Sequence, residues 1–251
     1  MINKKNRVAL ISGGASGIGR SIATRMAENG IFTSIVDINI DQGRKVAEKI
    51  NYSGGKALSL QCDISKKGQA INAVKQTIEY FGCLDIVVNS AGICPITEMD
   101  KISQDEWDQV IAVNLTGSFL IIQAAWEYIV VAGEKGRIIN IGSLAGQAGG
   151  IAVGLHYTAS KGGLIAMTKQ VAKLLAPSKG TANCISPGTT DTPLVQAWSD
   201  DIRQGLIEKI PLGRFAAPQD VAAVANFLVS EEAQYITGAT INVNGGMFIN
   251  G

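Results

Sequence analysis

Seven short runs rich in Val and Ile alternate with helix-period segments along almost the whole chain, and this alternation restricts the fold more than any other feature. The runs fall at 7–11, 32–36, 57–61, 85–89, 137–141, 181–185 and 240–243. Between them, apolar residues recur at helical spacing over 17–29, 41–50, 66–80, 104–131, 158–175 and 218–229. A strand joined through a helix to the next strand crosses over right-handed, which lines the strands up parallel and places helices on both faces. The expected architecture is therefore α/β: a doubly wound, seven-stranded parallel sheet in a single domain over residues 1–251. One long irregular region, 189–217, interrupts the series. Ligands of such sheets bind beyond the carboxyl ends of the strands, which favours a substrate-covering lid there over a wandering loop.

Apolar residues make up 46% of the chain and charged ones 17%, against a usual charged share of about a quarter. A large core or a buried subunit contact would absorb that surplus. The formal charge is +1, with 22 basic and 21 acidic residues and no block of like charge, so neither nucleic acid nor an acidic membrane is an expected partner. The N-terminal basic residues run straight into the first strand, too soon for a secretory segment, and 119–131 carries Gln123 and Glu127 one helical turn apart. A cytoplasmic protein without a membrane span is expected. Cys62, Cys83, Cys94 and Cys184 lack metal-ligand spacing and His156 is the one histidine, so no metal site is expected and the thiols should be reduced.

The first strand delivers Ser12, Gly13, Gly14, Ala15, Ser16, Gly17, Ile18 and Gly19 into a helix. Glycines let the backbone turn tightly and approach a pyrophosphate. The helix N-terminus adds free amides and a partial positive charge of about half a unit. Asp37 closes the second strand, where a carboxylate accepts both adenosine ribose hydroxyls and repels a 2′-phosphate. NAD is thus favoured over NADP, the alternative being Asp37 as a turn or capping residue. Asp63 and Ile64 end the third strand, placed either to meet adenine or to form a turn. Asn89, Ser90, Ala91 and Gly92 end the fourth, where small residues would let a ribose pass, although the same residues also make an ordinary turn.

Tyr157 and Lys161 lie four residues apart on one helix face. A phenol titrates near pH 10, and a neighbouring ammonium favours the phenolate, drawing it toward neutrality. Ketone reduction needs a proton at oxygen as hydride reaches carbon, and alcohol oxidation needs the reverse. Ser143, just past the fifth strand, is placed to hold the reacting oxygen. Asn114 lies within the 104–131 helix, where an amide is costly to bury unpaired; one explanation is a bound water that links Lys161 to solvent.

Taken together these segments resemble the short-chain dehydrogenase/reductase family over essentially the whole chain. The family's Thr-Gly-x3-Gly-x-Gly loop is matched by Ser12-Gly13 through Gly17-Ile18-Gly19, its Asn-Asn-Ala-Gly by Asn89-Ser90-Ala91-Gly92 and its Tyr-x3-Lys by Tyr157 and Lys161. Its Pro-Gly element reads Pro187-Gly188-Thr189-Thr190-Asp191-Thr192. The resemblance implies a Rossmann-like fold and a catalytic tetrad of Asn114, Ser143, Tyr157 and Lys161. It implies that Lys161 also holds the nicotinamide ribose and that residues from Gly188 to Thr192, Thr190 among them, meet the nicotinamide half. A homotetramer is implied too, made less secure by Asn244 in place of the usual Asp of the Val-Asp-Gly-Gly ending. The extended branch, with longer chains and another glycine spacing, does not fit.

Substrate choice is expected from residues after Gly92, after Ser143 and within 189–217, including Ile93, Cys94, Leu144, Gln147, Leu155, Leu194 and Trp198. The first reading is an NAD-dependent oxidoreductase for a secondary alcohol or ketone such as a small polyol, sugar or hydroxyketone. The alternative is a 3-oxoacyl-[acyl-carrier-protein] reductase, an activity usually tied to NADPH and an acidic carrier. Asp37 and Glu134 speak against it, and Lys135 and Lys179 leave it open. A dinucleotide sensor without catalysis is the reading from a different class, and the complete tetrad argues against it.

Overall fold

A computed structural model describes residues 6–150, 153–196 and 199–249. The chain runs β1 (Val8–Ser12), α1 (Gly17–Glu28), β2 (Phe32–Asp37), α2 (Ile40–Tyr52), β3 (Ala57–Gln61), α3 (Lys67–Phe81) and β4 (Ile86–Asn89). It continues with α4 (Gln104–Ile111), a widened π-type turn (Ala112–Gly117), α5 (Ser118–Val131), β5 (Arg137–Ile141), the short α6 (Ala145–Ala148) and α7 (Leu155–Leu175). β6 (Thr181–Pro187), α8 (Pro193–Gln196), α9 (Asp200–Ile207), α10 (Pro218–Val229) and β7 (Thr240–Val243) complete it. All seven strands join one parallel sheet in the order β3-β2-β1-β4-β5-β6-β7.

The order reverses direction between β1 and β4. Loops leaving these neighbours therefore part to opposite faces and open a crevice over the carboxyl ends. Every residue of β1, β4 and β5 is buried, as strands covered on both faces must be. One apolar layer joins α1, α2 and α10 to the sheet through Met26, Val46 and Leu228. The other packs α3, α5 and α7 through Val74, Ile121 and Leu175.

All seven expected strands are present, and two features differ from the sequence reading. The helix expected over 104–131 is present as one continuous helix, widened by the π-type turn between α4 and α5. There Gly117 sits so close to Ile64 that a Cβ would come within 2.7 Å of its Cγ1, and Asn114 is fully buried. The region 189–217 is also more ordered than a loop. Its two ends are clamped by a bridge between Thr190 and Ala216, and it carries α8, α9 and a small apolar cluster of Val195, Leu206, Ile210 and Phe215.

Candidate active site

At the adenosine end, the turn from β1 into α1 closes by backbone contact. Gly13 has φ +67°, and a Cβ on it would lie 2.7 Å from Ala91 Cα, while a Cβ on Gly19 would lie 2.1 Å from the Gly13 carbonyl oxygen. Only glycine fits either place. The N-cap of α1, Ser16, makes no side-chain capping bond, so the first amides of the helix, those of Gly17 and Ile18, are not capped by a side chain. Amides left uncapped by a side chain at the positive end of a helix suit a diphosphate.

Asp37 stands beside this turn, partly buried. Its Oδ2 accepts the Ala15 N–H at 3.0 Å and its Oδ1 accepts the Asn39 N–H at 3.0 Å. The carboxylate therefore holds the glycine turn, and each oxygen keeps lone-pair capacity for a further donor. The turn and cofactor readings of Asp37 are thus compatible in one geometry. Residues 12–19 contain no Lys or Arg, so no cation on the turn offsets this negative charge.

Several residues expected at the cofactor also tie the loops of the crevice together or face the core. Ser12 is fully buried, and its Oγ accepts the N–H groups of Ser90 and Ala91 at 3.2 and 3.4 Å, so it ties the two loops together from below. The Asn89 side chain turns into the core and donates to Asn140 Oδ1 at 2.9 Å. Ile64 is buried against Gly117 rather than offered to a ring. Asp63 Oδ1 accepts from the Ser65 amide at 3.0 Å and the Ser65 hydroxyl at 2.7 Å, the turn reading of that residue.

Past the switch point, a cavity of about 360 Å3 opens over β4, β5 and β6. Ser143, Tyr157 and Lys161 line it together with Ile18, Gly92, Pro187, Gly188, Thr190 and Thr192. The expected chemical residues and the expected nicotinamide contacts thus share one wall. The Ser143 hydroxyl stands beside the Tyr157 phenol and favours its ionised form. Lys161 Nζ lies 5.7 Å from the Tyr157 ring centre and donates to the Ile141 carbonyl at 2.8 Å. Gly92 leaves room between Lys161 Nζ and Asn114 Oδ1, which its Cβ would meet at 3.5 and 3.2 Å.

Burial dominates the electrostatics of this wall. It brings the Lys161 ammonium down to about 8, with the nearby Cys184 and Cys94 thiols opposing that fall. It pushes the Tyr157 phenol above its ordinary value; Cys94 adds to the rise and Ser143 opposes it. The expected lowering of the phenol by its lysine neighbour is therefore not found in the chain alone, where burial is the dominant influence on Tyr157.

Asn114 is not an unpaired amide. Its Oδ1 accepts the Ile93 N–H at 2.8 Å, and its Nδ2 donates to the Ile93 carbonyl at 2.9 Å and to Ser160 Oγ at 3.1 Å. It grips the strand end beside Lys161. Gln147, expected to touch substrate, is turned to the sheet, where Nε2 donates to Ser186 Oγ and Asn242 Oδ1 at 2.6 Å each. The cavity wall on that side is Leu144, Ala148 and Val153. Leu194 lies in α8, and Trp198 falls outside the described residues.

The sequence reading missed Val195, Leu206 and Met247, which close the cavity from distant segments. Their apolar spacing was the available signal, and it could not be told from ordinary core. Glu134, Lys135 and Lys179 also prove uninformative about a carrier. They precede β5 and β6, at the opposite end of the sheet from the crevice, with Lys179 Nζ paired to Glu134 at 3.0 Å.

A family model described as enoyl-(acyl carrier protein) reductase matches residues 13–248. The chain is 38% identical over 248 residues to the 3-oxoacyl-[acyl-carrier-protein] reductase of Aquifex aeolicus, covering 98% of this chain and 99% of that one. It is 37% identical over 242 residues to a (2S)-[(R)-hydroxy(phenyl)methyl]succinyl-CoA dehydrogenase subunit of Thauera aromatica, covering 96% of each. Among solved structures, the 3-oxoacyl-[acyl-carrier protein] reductase of Brucella melitensis superposes with a TM-score of 0.92 at 35% identity, covering 98% of this chain and 92% of that one.

Proposed function

The chain belongs to the short-chain dehydrogenase/reductase family, and from that premise we propose that it interconverts a 3-oxoacyl thioester and the corresponding 3-hydroxyacyl thioester, with NAD as hydride carrier. The observation that carries this reading is the wall facing Tyr157. Ile93, Leu144, Val153, Val195, Leu206 and Met247 surround it with hydrocarbon, where the several hydroxyls of a polyol would lose their hydrogen bonds. The relatives named for 3-oxoacyl and hydroxyacyl substrates support the same class. This reading replaces the polyol or sugar that the expected NAD preference had favoured.

A bound nicotinamide would supply the hydride chemistry at the substrate carbon, in either direction. Tyr157 gives its hydroxyl proton to the carbonyl oxygen in reduction and recovers it in oxidation. Ser143 holds that oxygen by a hydrogen bond, and Lys161 stands beside the phenol as the replenishing ammonium. Gly13, Ser16, Gly17 and Gly19 would hold the diphosphate, Asp37 the adenosine ribose, and Ala91, Gly92 and 187–192 the nicotinamide half. Residues 189–217 would act as the lid, and a homotetramer would cover apolar side chains such as Phe119, Tyr128 and Val131, which α5 leaves exposed.

A second reading, a compact secondary alcohol rather than a thioester, is favoured by Asp37, because the NAD it selects suits alcohol oxidation. Acetoacetyl-CoA, 3-hydroxybutyryl-CoA and sorbitol offered separately with each coenzyme, followed by NAD(P)H absorbance, separate the two. Turnover of the thioesters with NADH or NAD is expected. Turnover of sorbitol alone would overturn the proposal.

A further inference from the structure

The one histidine in the chain sits directly before Tyr157, fully buried, and nothing in the proposed chemistry uses it. Helix α7 begins at Leu155 behind Gly154, an N-cap without a side chain, so no capping group from that position reaches the Tyr157 amide. His156 fills this gap. Its Nδ1 accepts the Tyr157 N–H at 3.0 Å, and Nε2 lies 2.6 Å from Glu106 Oε1 on α4.

These two contacts determine the tautomer. An N–H aimed at Nδ1 requires a lone pair there, so the ring hydrogen is on Nε2 and is donated to the Glu106 carboxylate. Glu106 is held further by Thr97, and hydrogen bonds from Thr97 and His156 keep its carboxyl below the usual range. Gly154 is the residue that makes space, since a Cβ there would lie 2.2 Å from His156 Cε1, and its N–H donates to the Pro95 carbonyl at 3.3 Å. Thr97 and Pro95 belong to the segment after β4 whose Gly92, Ile93 and Cys94 line the cavity.

We infer that the Glu106–His156 pair is a positioning device that locks the first turn of α7, and with it Tyr157, to α4 and to the substrate-lining segment after β4. Glu106 and His156 touch no reacting atom; they act through the placement of the phenol. The inference rests on the reading of Tyr157 as the proton-transferring group. A misplacement of about 1 Å at such a group costs about 100-fold in rate. Loss of the pair should therefore lower kcat and spare the coenzyme, which is held by other segments.

Two measurements test it. In 15N-labelled protein at pH 8 the lone imidazole gives one set of long-range 1H–15N correlations; a hydrogen on Nε2 is expected, and a hydrogen on Nδ1 overturns the inference. With acetoacetyl-CoA and NADH, Glu106→Ala is expected to lower kcat about 10- to 100-fold, with the KM for NADH changed less than about twofold. Glu106→Gln, which keeps an acceptor oxygen for Nε2–H, should recover kcat to within about threefold of the parent. A parental kcat in Glu106→Ala, or no recovery in Glu106→Gln, overturns it. If Glu106→Ala does not fold, His156→Asn carries the test, since its Oδ1 can replace Nδ1 but reaches no farther toward Glu106; an undiminished kcat again overturns the inference. Tyr157→Phe assayed alongside separates the two levels. Retained turnover there sinks the catalytic reading, whereas an inactive Tyr157→Phe beside a parental Glu106→Ala sinks the positioning device alone.

Discussion

Above β1, β2 and β3 the crevice is made mostly of main chain, whereas above β4, β5 and β6 it is made of buried side chains. In the first region Gly13 and Gly19 meet other backbone atoms at distances that admit no Cβ, and the Asp37 carboxylate is fixed by two amides. In the second, Tyr157 and Lys161 are pulled from their ordinary proton affinities by loss of water. On the proposed reading, the contrast teaches that shape, set by what is left out of the sequence, would serve recognition of a diphosphate. Reactivity would be set by desolvation and by neighbours brought together from separate segments of chain.

The sharpest way to break this contrast is to add one methyl group to the first region. Gly19→Ala places a carbon 2.1 Å from the Gly13 carbonyl oxygen, so the turn must open. Loss of NADH binding by about 100-fold or more is expected in fluorescence titration, with the site around Tyr157 unaltered. Binding within a factor of about two would show that the turn is not the recognition element.

A pH titration of stability probes the second region. Unfolded, Lys161 keeps its proton up to its ordinary 10.5, and folded only to about 8, so between these values the unfolded chain binds more protons. Stability from this group therefore rises with pH, by up to about 1.4 kcal/mol per unit. Cys62, Cys94 and Cys184 act in the opposite sense above their ordinary 9.0, because burial pushes each to about 11. Chemical denaturation of the parent and of Lys161→Met from pH 8 to 10 isolates the lysine. A parent that gains stability relative to the variant is expected, and parallel curves contradict a buried, desolvated ammonium.

The smallest effect concerns Asp37. If Asp37 selects NAD as proposed, Asp37→Ala should narrow the ratio of NADH to NADPH affinity about tenfold, roughly 1.4 kcal/mol. An unchanged ratio accompanied by a lower Tm would assign Asp37 to the turn alone.

How far the sequence reached follows the same division. Strand runs are legible because burial on both faces demands unbroken Val and Ile, and the glycine turn because only one residue type tolerates its contacts. The π-type turn at 112–117 left no mark, since widening a helix by one residue needs no special composition. Gln147 followed the expected chain position yet turned toward Ser186 and Asn242, a choice made by partners 39 and 95 residues away. The link between Glu106 and His156 was equally invisible, because it spans 50 residues and two helices. The chain shows which residues are present, and long-range pairing decides which way each one faces.

The account stands on the Tyr157 hydroxyl as the group that exchanges a proton with the substrate oxygen. Tyr157→Phe removes that oxygen and nothing else, and the assay is NADH binding by fluorescence beside acetoacetyl-CoA turnover by NADH absorbance. Binding at the parental affinity with turnover lowered about 1,000-fold or more is the predicted result. Turnover within tenfold of the parent would contradict the account.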